Sequence, residues 1–480
     1  MITSYLSVGV LKVSVGMVVN NSMCSWLREV LSFALALVVL FYLNIRVDGG
    51  VSLLHLIVFG LIALLSFMVR CWTLNRTDHK DELFSSTESI VGATSASKPQ
   101  RNIAIDWIRL IALLFVICVH SIDNVMPFLT ISVDGEEMLR DTLSQSAILF
   151  YSFVRTVMLS CNALYVMISG ALLLPYRKEH LLYYYFHRYT KMIIPMLVFY
   201  VFYLWQSNGL PVGSAISVGT TILYGFFTGQ TAHCPFYWML YIIALLYLVY
   251  PFLRLLFKRI SYSFLTALAT LIIFCAAVSE IWLNHSILST PVIWLAFAVL
   301  GYWITRTESA RFDRVILIMA ALSAGIFAAV IIQRRVYVSY INYLVYFTPM
   351  LMFICLGFFS LARKLLALRN RFSKLGARVN LCITFFNQYG FAILLAHWWC
   401  LYHCPTILTE LRDSISVSLG LHMTLLFVIV TDILIAVVLG FIMNNYVIRL
   451  PMLLADYLVK MLNRVLRQID PLNRTLKDNG

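Results

Sequence analysis

The sequence predicts an all-α fold: a polytopic transmembrane helix bundle with a ten-span core and two extra N-terminal spans. Three observations carry that reading. Of the 480 residues, 61% are apolar and 12% are charged, against roughly 45–50% and about 25% in soluble domains, and the mean hydropathy is +0.86. Apolar runs long enough for a bilayer core, which takes about 20 helical residues, recur along the chain. The basic residues gather on alternate connections between those runs, as the positive-inside rule asks. A soluble domain of this size could not hide so much apolar surface, so a disordered protein, a secreted disulfide scaffold and a soluble nucleic-acid binder are excluded. The net charge of +14, which in a soluble protein would suggest nucleic acid, here reports inner loops crowded with Lys and Arg, and no nucleic-acid partner is expected.

Spans are read near 30–48, 51–71, 103–123, 147–174, 189–207, 236–257, 262–283, 289–305, 313–332, 340–361, 385–404 and 422–445. The segment 209–232 is small, polar and uncharged, and reads as a re-entrant or surface loop. With the N-terminus in the cytoplasm, inside segments hold 29 Lys and Arg, outside loops hold five (Arg46, Arg140, Arg334, Arg335, Arg412), and Arg109 and Arg155 lie within spans. Shifting the count by one span would destroy that bias. Both termini are therefore expected in the cytoplasm.

Four regions follow from this count: a two-span extension at 1–72, a polar Ser/Thr-rich cytoplasmic linker at 73–100, the ten-span core at 101–445 and a tail at 446–480. The tail places Leu450, Leu454, Tyr457, Leu458, Met461 and Val465 at helical spacing with Lys460, Arg464 and Arg467 beside them, an amphipathic pattern suited to the inner membrane surface. The first 22 residues lack a charged n-region with a tidy cleavage site, so no cleaved signal peptide is expected. The ten cysteines lie mostly in apolar runs and form no CxxC pair. They read as small apolar fillers rather than a metal or disulfide framework, and no metal is expected. P-loop, HExxH and GxSxG motifs are absent from the sequence.

Ionisable groups inside a span are costly and mark function by default. The first core span, RNIAIDWIRLIALLFVICVHSIDN, carries three of them between its ends, Asp106, Arg109 and His120. Asp106 and Arg109 are at i and i+3, so they share a face and can pair. Arg109 and His120 are eleven residues apart, which at about 100° per residue returns to nearly the same face roughly 16 Å further along. One stripe therefore bears an acid and a guanidinium near the inner end and an imidazole near the outer end, where Asp123 or Asn124 could orient the ring. The bland alternative makes Asp106 and Arg109 interfacial residues and His120 a helix cap.

The next dense group is FHRYTKMIIPMLVFY, where Arg188 and Lys191 share a face at the mouth of a span. Such side chains either hold phosphates or snorkel to the membrane surface. Arg155 either pairs with an acid of the outer loop 123–141 or snorkels outward. His233 precedes the span FYWMLYIIALLYLVYPFL, and His397 lies within NQYGFAILLAHWWCLYHC. A lone intramembrane His is more often a hydrogen-bonded core residue. A zinc site from His120, His233 and His397 is geometrically conceivable, but nothing in the sequence fixes their proximity.

Arg109-x₁₀-His120, with Asp106 three residues earlier, resembles the membrane-bound acyltransferase type 3 family. The likeness continues in order: LYVMISGALLLP (164–175), with Ser169 and Gly170; Arg188-x-x-Lys191 followed by Pro195; FYWMLYIIALLYLVYPFL, with Trp238, Tyr247 and Pro251; FAVLGYWI (297–304); and YGFAILLAHWW (389–399). It spans about 100 to 445. This sequence departs from the family pattern in having Lys191 where Arg is usual and Phe236 where a His is usual, and residues 1–100 fall outside it.

The resemblance implies a bacterial inner-membrane enzyme that O-acylates, usually O-acetylates, surface polysaccharides such as the O-antigen of lipopolysaccharide. It implies acetyl-CoA or another acyl-CoA as cytoplasmic co-substrate, no bound cofactor, and a polysaccharide or lipid-linked sugar as acceptor at the outer face. On this reading His120, Arg109 and Asp106 are catalytic and Arg188 and Lys191 hold the donor. Ser169, Trp238, His397 and His233 are possible substrate contacts. The rival reading is a transporter or flippase of lipid-linked glycans, which intramembrane charges and twelve spans suit equally well; no inverted repeat is detected.

Overall fold

The computed structural model describes residues 103–125, 130–133, 136–139, 145–176, 179–207, 211, 213–229, 234–279, 290–307, 309–334, 347–369 and 373–469. Side chains at 124–125, 130–133, 136–139, 145–148, 215, 290, 333–334, 367–369, 373–382, 400, 402–421, 424 and 466–469 also lie outside that description. The expected spans 30–48 and 51–71, the linker and His233 fall outside the described residues. By internal contact the chain divides into two units, Pro99–Phe441 with Ala455–Gly480, and Met1–Lys98 with Ile442–Leu454. The site described below lies in the first.

Helices make up nearly all of the described chain. In order they are α1 (Ile103–Val125), α2 (Gln145–Met158), α3 (Ser160–Leu173), α4 (Leu181–Gln206), α5 (Ala215–Phe227), α6 (Tyr237–Phe257), α7 (Tyr262–Val278), α8 (Thr290–Arg306), α9 (Ala310–Arg334), α10 (Pro349–Arg369) and α11 (Ser373–Ile442). A π-helical stretch, Met443–Ile448, leads into α12 (Arg449–Ile469). A short antiparallel hairpin, β1 (Thr130–Val133) with β2 (Glu136–Leu139), interrupts the helical pattern within the acidic loop after α1. Among the described residues six stretches are long and apolar enough to cross a membrane: Ile103–Asp123, Leu149–Leu173, Tyr237–Phe257, Ala310–Ile332, Pro349–Leu366 and Leu425–Val465. The chain thus has the character of a multi-pass membrane protein, in which every backbone polar group at bilayer depth must be bonded internally.

Three elements differ from the sequence reading. The run 147–174 is two helices, because the turn at Leu159 interrupts it between α2 and α3. The supposed loop 209–232 contains α5, started by the Ser214 hydroxyl, which accepts from Ser217 N at 3.3 Å, and fastened by Tyr241 Oη donating to Phe226 O at 2.6 Å. Short polar residues hide a helix from a composition reading, because Ser and Thr favour caps and turns. The run 385–404 and all but the last three residues of 422–445 lie in one continuous helical segment, α11, yet the Phe385 and Phe441 rings are 6.4 Å apart. A straight helix would separate those positions by about 84 Å, so the segment doubles back and its two legs pack side by side.

Two glycines set the central helix crossing. A Cβ on Gly170 of α3 would stand 2.0 Å from Ala298 O of α8, and a Cβ on Gly301 of α8 would stand 2.0 Å from Met167 O of α3. Backbone lies on backbone at both points, the small-residue packing that replaces hydrophobic driving force inside lipid. Around the crossing Leu164, Met167, Trp294, Phe297 and Leu300 are fully or almost fully buried. Two arginines tie helix ends to this core. Arg254 of α6 donates to Leu173 O and to Glu179, and its guanidinium lies 4.7 Å from the Tyr184 ring centroid. Arg363 of α10 donates to Ile304 O at 2.7 Å, Thr307 O at 3.1 Å and Asp313. Both were counted in the sequence as orientation charges; each also closes orphan carbonyls where a helix ends.

Replacing Gly170 or Gly301 by Ala forces the α3–α8 crossing apart, with an expected cost of at least the 1–3 kcal/mol typical of overpacking. The thermal midpoint of the detergent-purified variant, compared with Gly219→Ala, where the added Cβ meets nothing, checks this; equal midpoints would contradict it.

Candidate functional site

A cavity of about 1050 Å³ opens among α1, α2, α3, α4, α6, α8 and α11. Seven of the nine residues singled out in the sequence line it: Arg109, His120, Ser169, Arg188, Lys191, Trp238 and His397. An eighth, Asp106, stands behind the wall and bonds to one of them. The side chains come from five different helices, so the fold, rather than local sequence, brings them together.

α1 supplies one wall. Arg109 Nη1 lies 3.3 Å from Asp106 Oδ1, the i,i+3 pair expected from spacing, and Asp106 is buried while Arg109 opens on the cavity. The same Nη1 donates at 3.1 Å to Oδ1 of Asn387 on α11. Asn387 in turn donates Nδ2 to Asp106 O at 3.3 Å and to Ile383 O at 2.8 Å. Acid, guanidinium and amide therefore form one network across two helices, and the guanidinium plane is held at the cavity wall. Sequence reading missed Asn387, although an amide inside an apolar run carries the same cost signal as a charge.

At the far end of α1, Asp123 meets Arg155 of α2 in a two-pronged pair, Nε to Oδ1 and Nη2 to Oδ2, the second at 3.0 Å. Arg155 is buried and Asp123 is partly exposed. Asp123, one of the two residues that could orient His120, is thus committed to a guanidinium, the geometry that charge-assisted bidentate pairs favour. One residue beyond His120, Ser121 Oγ lies 2.6 Å from Asp432 Oδ2 of α11. Asp432 is an intramembrane carboxylate that the sequence scan passed over inside the run 422–445.

His120 itself stacks on His397, ring centroids 5.4 Å apart with 29° between planes, and stands edge-on to Trp398 at 5.7 Å. Phe236 packs on the His397 ring at 5.0 Å. His397 Nδ1 bonds to Leu394 O in its own helix, and Nε2 is buried with no hydrogen-bond partner among the described residues. Of the three histidines considered for a metal, two therefore meet, and His233 lies outside the described residues.

The opposite end is basic. α4 begins at His180, whose ring accepts from Leu182 N at 3.3 Å, and its first turns bring Arg188 and Lys191 to the cavity. Arg188 Nε is buried without a hydrogen-bond partner among the described residues, an open donor where an anion would be favourable. α4 is laced to α6 by tyrosine hydroxyls: Tyr189 to Ala244 O at 2.8 Å, Tyr185 to Leu248 O at 2.9 Å, and Tyr237 to Met196 O at 2.8 Å. Pro195 and Pro251 lie inside these two helices, where each ring breaks the hydrogen-bond ladder. Between the ends, Ser169 shares a hydrogen bond with Tyr250 at 2.7 Å, and Trp238 packs against Trp294 with centroids 5.9 Å apart.

Chemically, the cavity offers guanidinium and ammonium groups for an anion at one end and imidazoles for proton or acyl work at the other. A family model described as an acyltransferase domain matches residues 102–450, well over half of the chain and all of the cavity lining. No curated protein and no solved structure matches the chain.

Asp123→Ala leaves the buried Arg155 guanidinium without its carboxylate. The expected loss is about 1–3 kcal/mol, the desolvation cost of an unmatched buried donor, and Asp123→Ala/Arg155→Met should recover part of it. Thermal midpoints of the two variants in detergent check this, and a double variant less stable than the single would contradict it.

Proposed function

The chain belongs to the acyltransferase 3 family, and on that premise we propose that it moves an acetyl group from cytoplasmic acetyl-CoA to a hydroxyl of a surface or lipid-linked polysaccharide at the outer face of the bacterial inner membrane. It is a membrane acyltransferase; the donor, the acceptor and the orientation are our reading. The observation that carries this reading is the single cavity with Arg109, Arg188 and Lys191 toward one end and His120 with His397 toward the other.

The basic end suits the pyrophosphate of a CoA thioester, because a guanidinium and an ammonium pair with phosphate oxygens. Lys191 in place of a second Arg supplies a point charge rather than a two-pronged fork. Asp106 and Asn387 hold Arg109 in place. The imidazole end suits the reacting carbon. A ring whose unperturbed pKa lies near working pH can take the proton of a sugar hydroxyl or carry the acyl group. Trp238 and Ser169 line the space between, where an apolar sugar face and a hydroxyl would find partners. The glycan transporter reading finds no separate support in these residues.

Two outcomes test the proposal. In cells making His120→Ala that inserts at the normal level, O-acetyl signals of the surface polysaccharide disappear from its NMR spectrum; persistence of those signals would refute the role given to His120. Arg109→Ala should lower acetyl transfer from acetyl-CoA by roughly 100-fold or more, the scale of one positioned electrostatic group, with protein level unchanged. Near-normal transfer by that variant would reduce Arg109 to a structural role.

A further inference from the structure

The second imidazole, His397, has a geometry that its sequence position did not disclose. Its Nδ1 is bonded to Leu394 O. A carbonyl oxygen can only accept, so Nδ1 carries the hydrogen, and in the neutral ring the lone pair sits on Nε2. Nε2 is buried without a hydrogen-bond partner among the described residues, although the residue lines the cavity. Because Nδ1 faces the backbone of its own helix, Nε2 points away from α11. A buried acceptor left open in this way is costly, and a ligand hydroxyl would relieve that cost.

The surroundings hold the ring in place. Tyr203 of α4 inserts its hydroxyl between the two ends of one helical turn of α11, donating to Leu395 O at 2.6 Å and accepting from Trp399 N at 3.1 Å. That insertion brackets His397 and fixes the backbone turn whose carbonyl holds Nδ1. His120 stacks on the ring with centroids 5.4 Å apart, and Phe236 packs against it at 5.0 Å.

Resting on the acyl-transfer reading above, we propose that His397 is the general base of the reaction, acting through Nε2 on the acceptor hydroxyl, and that His120 attends the carbonyl end of the acyl group. As the hydroxyl oxygen forms its bond to the thioester carbonyl carbon, the O–H proton passes to Nε2. The tetrahedral adduct then collapses with cleavage of the C–S bond, and the proton returns from Nε2 to the departing thiolate. The products are the ester, the free thiol and a neutral His397. The Leu394 carbonyl stabilises the imidazolium formed between these steps by accepting from Nδ1, as the orienting acid does in other imidazole bases. His120, stacked on the same ring, is left as the neutral partner, since two adjacent imidazolium rings would repel.

The test uses inverted membrane vesicles containing the full chain, supplied with radiolabelled acetyl-CoA, with label counted in the glycan. His397→Asn can still donate to Leu394 O but has no basic nitrogen. It is expected to transfer at least 100-fold more slowly, the scale of general-base catalysis, while binding CoA within twofold of the unaltered protein. In His397→Ala, added imidazole is expected to restore transfer at least tenfold, and to restore none in His120→Ala. Transfer by His397→Asn within tenfold of the unaltered protein, or an inserted His397→Ala that imidazole does not rescue, would overturn the assignment. If the unaltered protein labels no glycan, the acyl-transfer reading itself fails, which is a separate result.

Discussion

Two of the guanidinium groups inside apolar helices, those of Arg109 and Arg155, are neutralised by carboxylates of one helix. α1 carries Asp106 near its start and Asp123 near its end; the first binds Arg109 and the second binds Arg155. Burying either charge alone would be costly, and removing one partner would leave the other stranded. These two pairs fix α1 against α11 and α2 respectively, through Asn387 at one end and Arg155 at the other. The imidazole of His120 lies between them. Arg109 and His120 thereby line the cavity from the two ends of α1, and the Asp123–Arg155 pair lines it too.

The remaining architecture serves the same wall. The backbone-on-backbone crossing of α3 and α8 at Gly170 and Gly301 brings Ser169 and Trp294 to the cavity. Tyrosine hydroxyls bonded to backbone carbonyls stitch α4 to α6 and to α11, so that Arg188 and Lys191 on α4 sit opposite a helix pair pinned in place. Hydroxyl-to-carbonyl bonds suit a bilayer interior, where a lone polar group has no water to turn to.

The stripe Asp106–Arg109–His120 was legible in the sequence because a charge in an apolar run is conspicuous and helical spacing is arithmetic. The basic pair Arg188 and Lys191 was legible for the same reason, as were the span positions of α1, α6 and α9. What escaped was long-range. Asn387 is 278 residues from Arg109; an amide in an apolar run is a readable signal, but nothing local says which residue it meets. The meeting of His120 with His397 depends on how α1 packs against the first leg of α11, which no local pattern encodes. The helix α5 escaped because its Ser and Thr residues read as loop. Asp432 carried the very signal that flagged Asp106 and should have been read from it.

We propose that one cavity joins a donor held at its basic end to an acceptor hydroxyl at its imidazole end. The most direct measurement uses the purified chain in sealed proteoliposomes, with extracted surface polysaccharide enclosed and radiolabelled acetyl-CoA outside. For molecules inserted with the basic end outward, label should appear on the enclosed polysaccharide, and Arg188→Ala/Lys191→Ala should abolish it by weakening acetyl-CoA binding. Label reaching polysaccharide only when donor and acceptor share a face would contradict the claim.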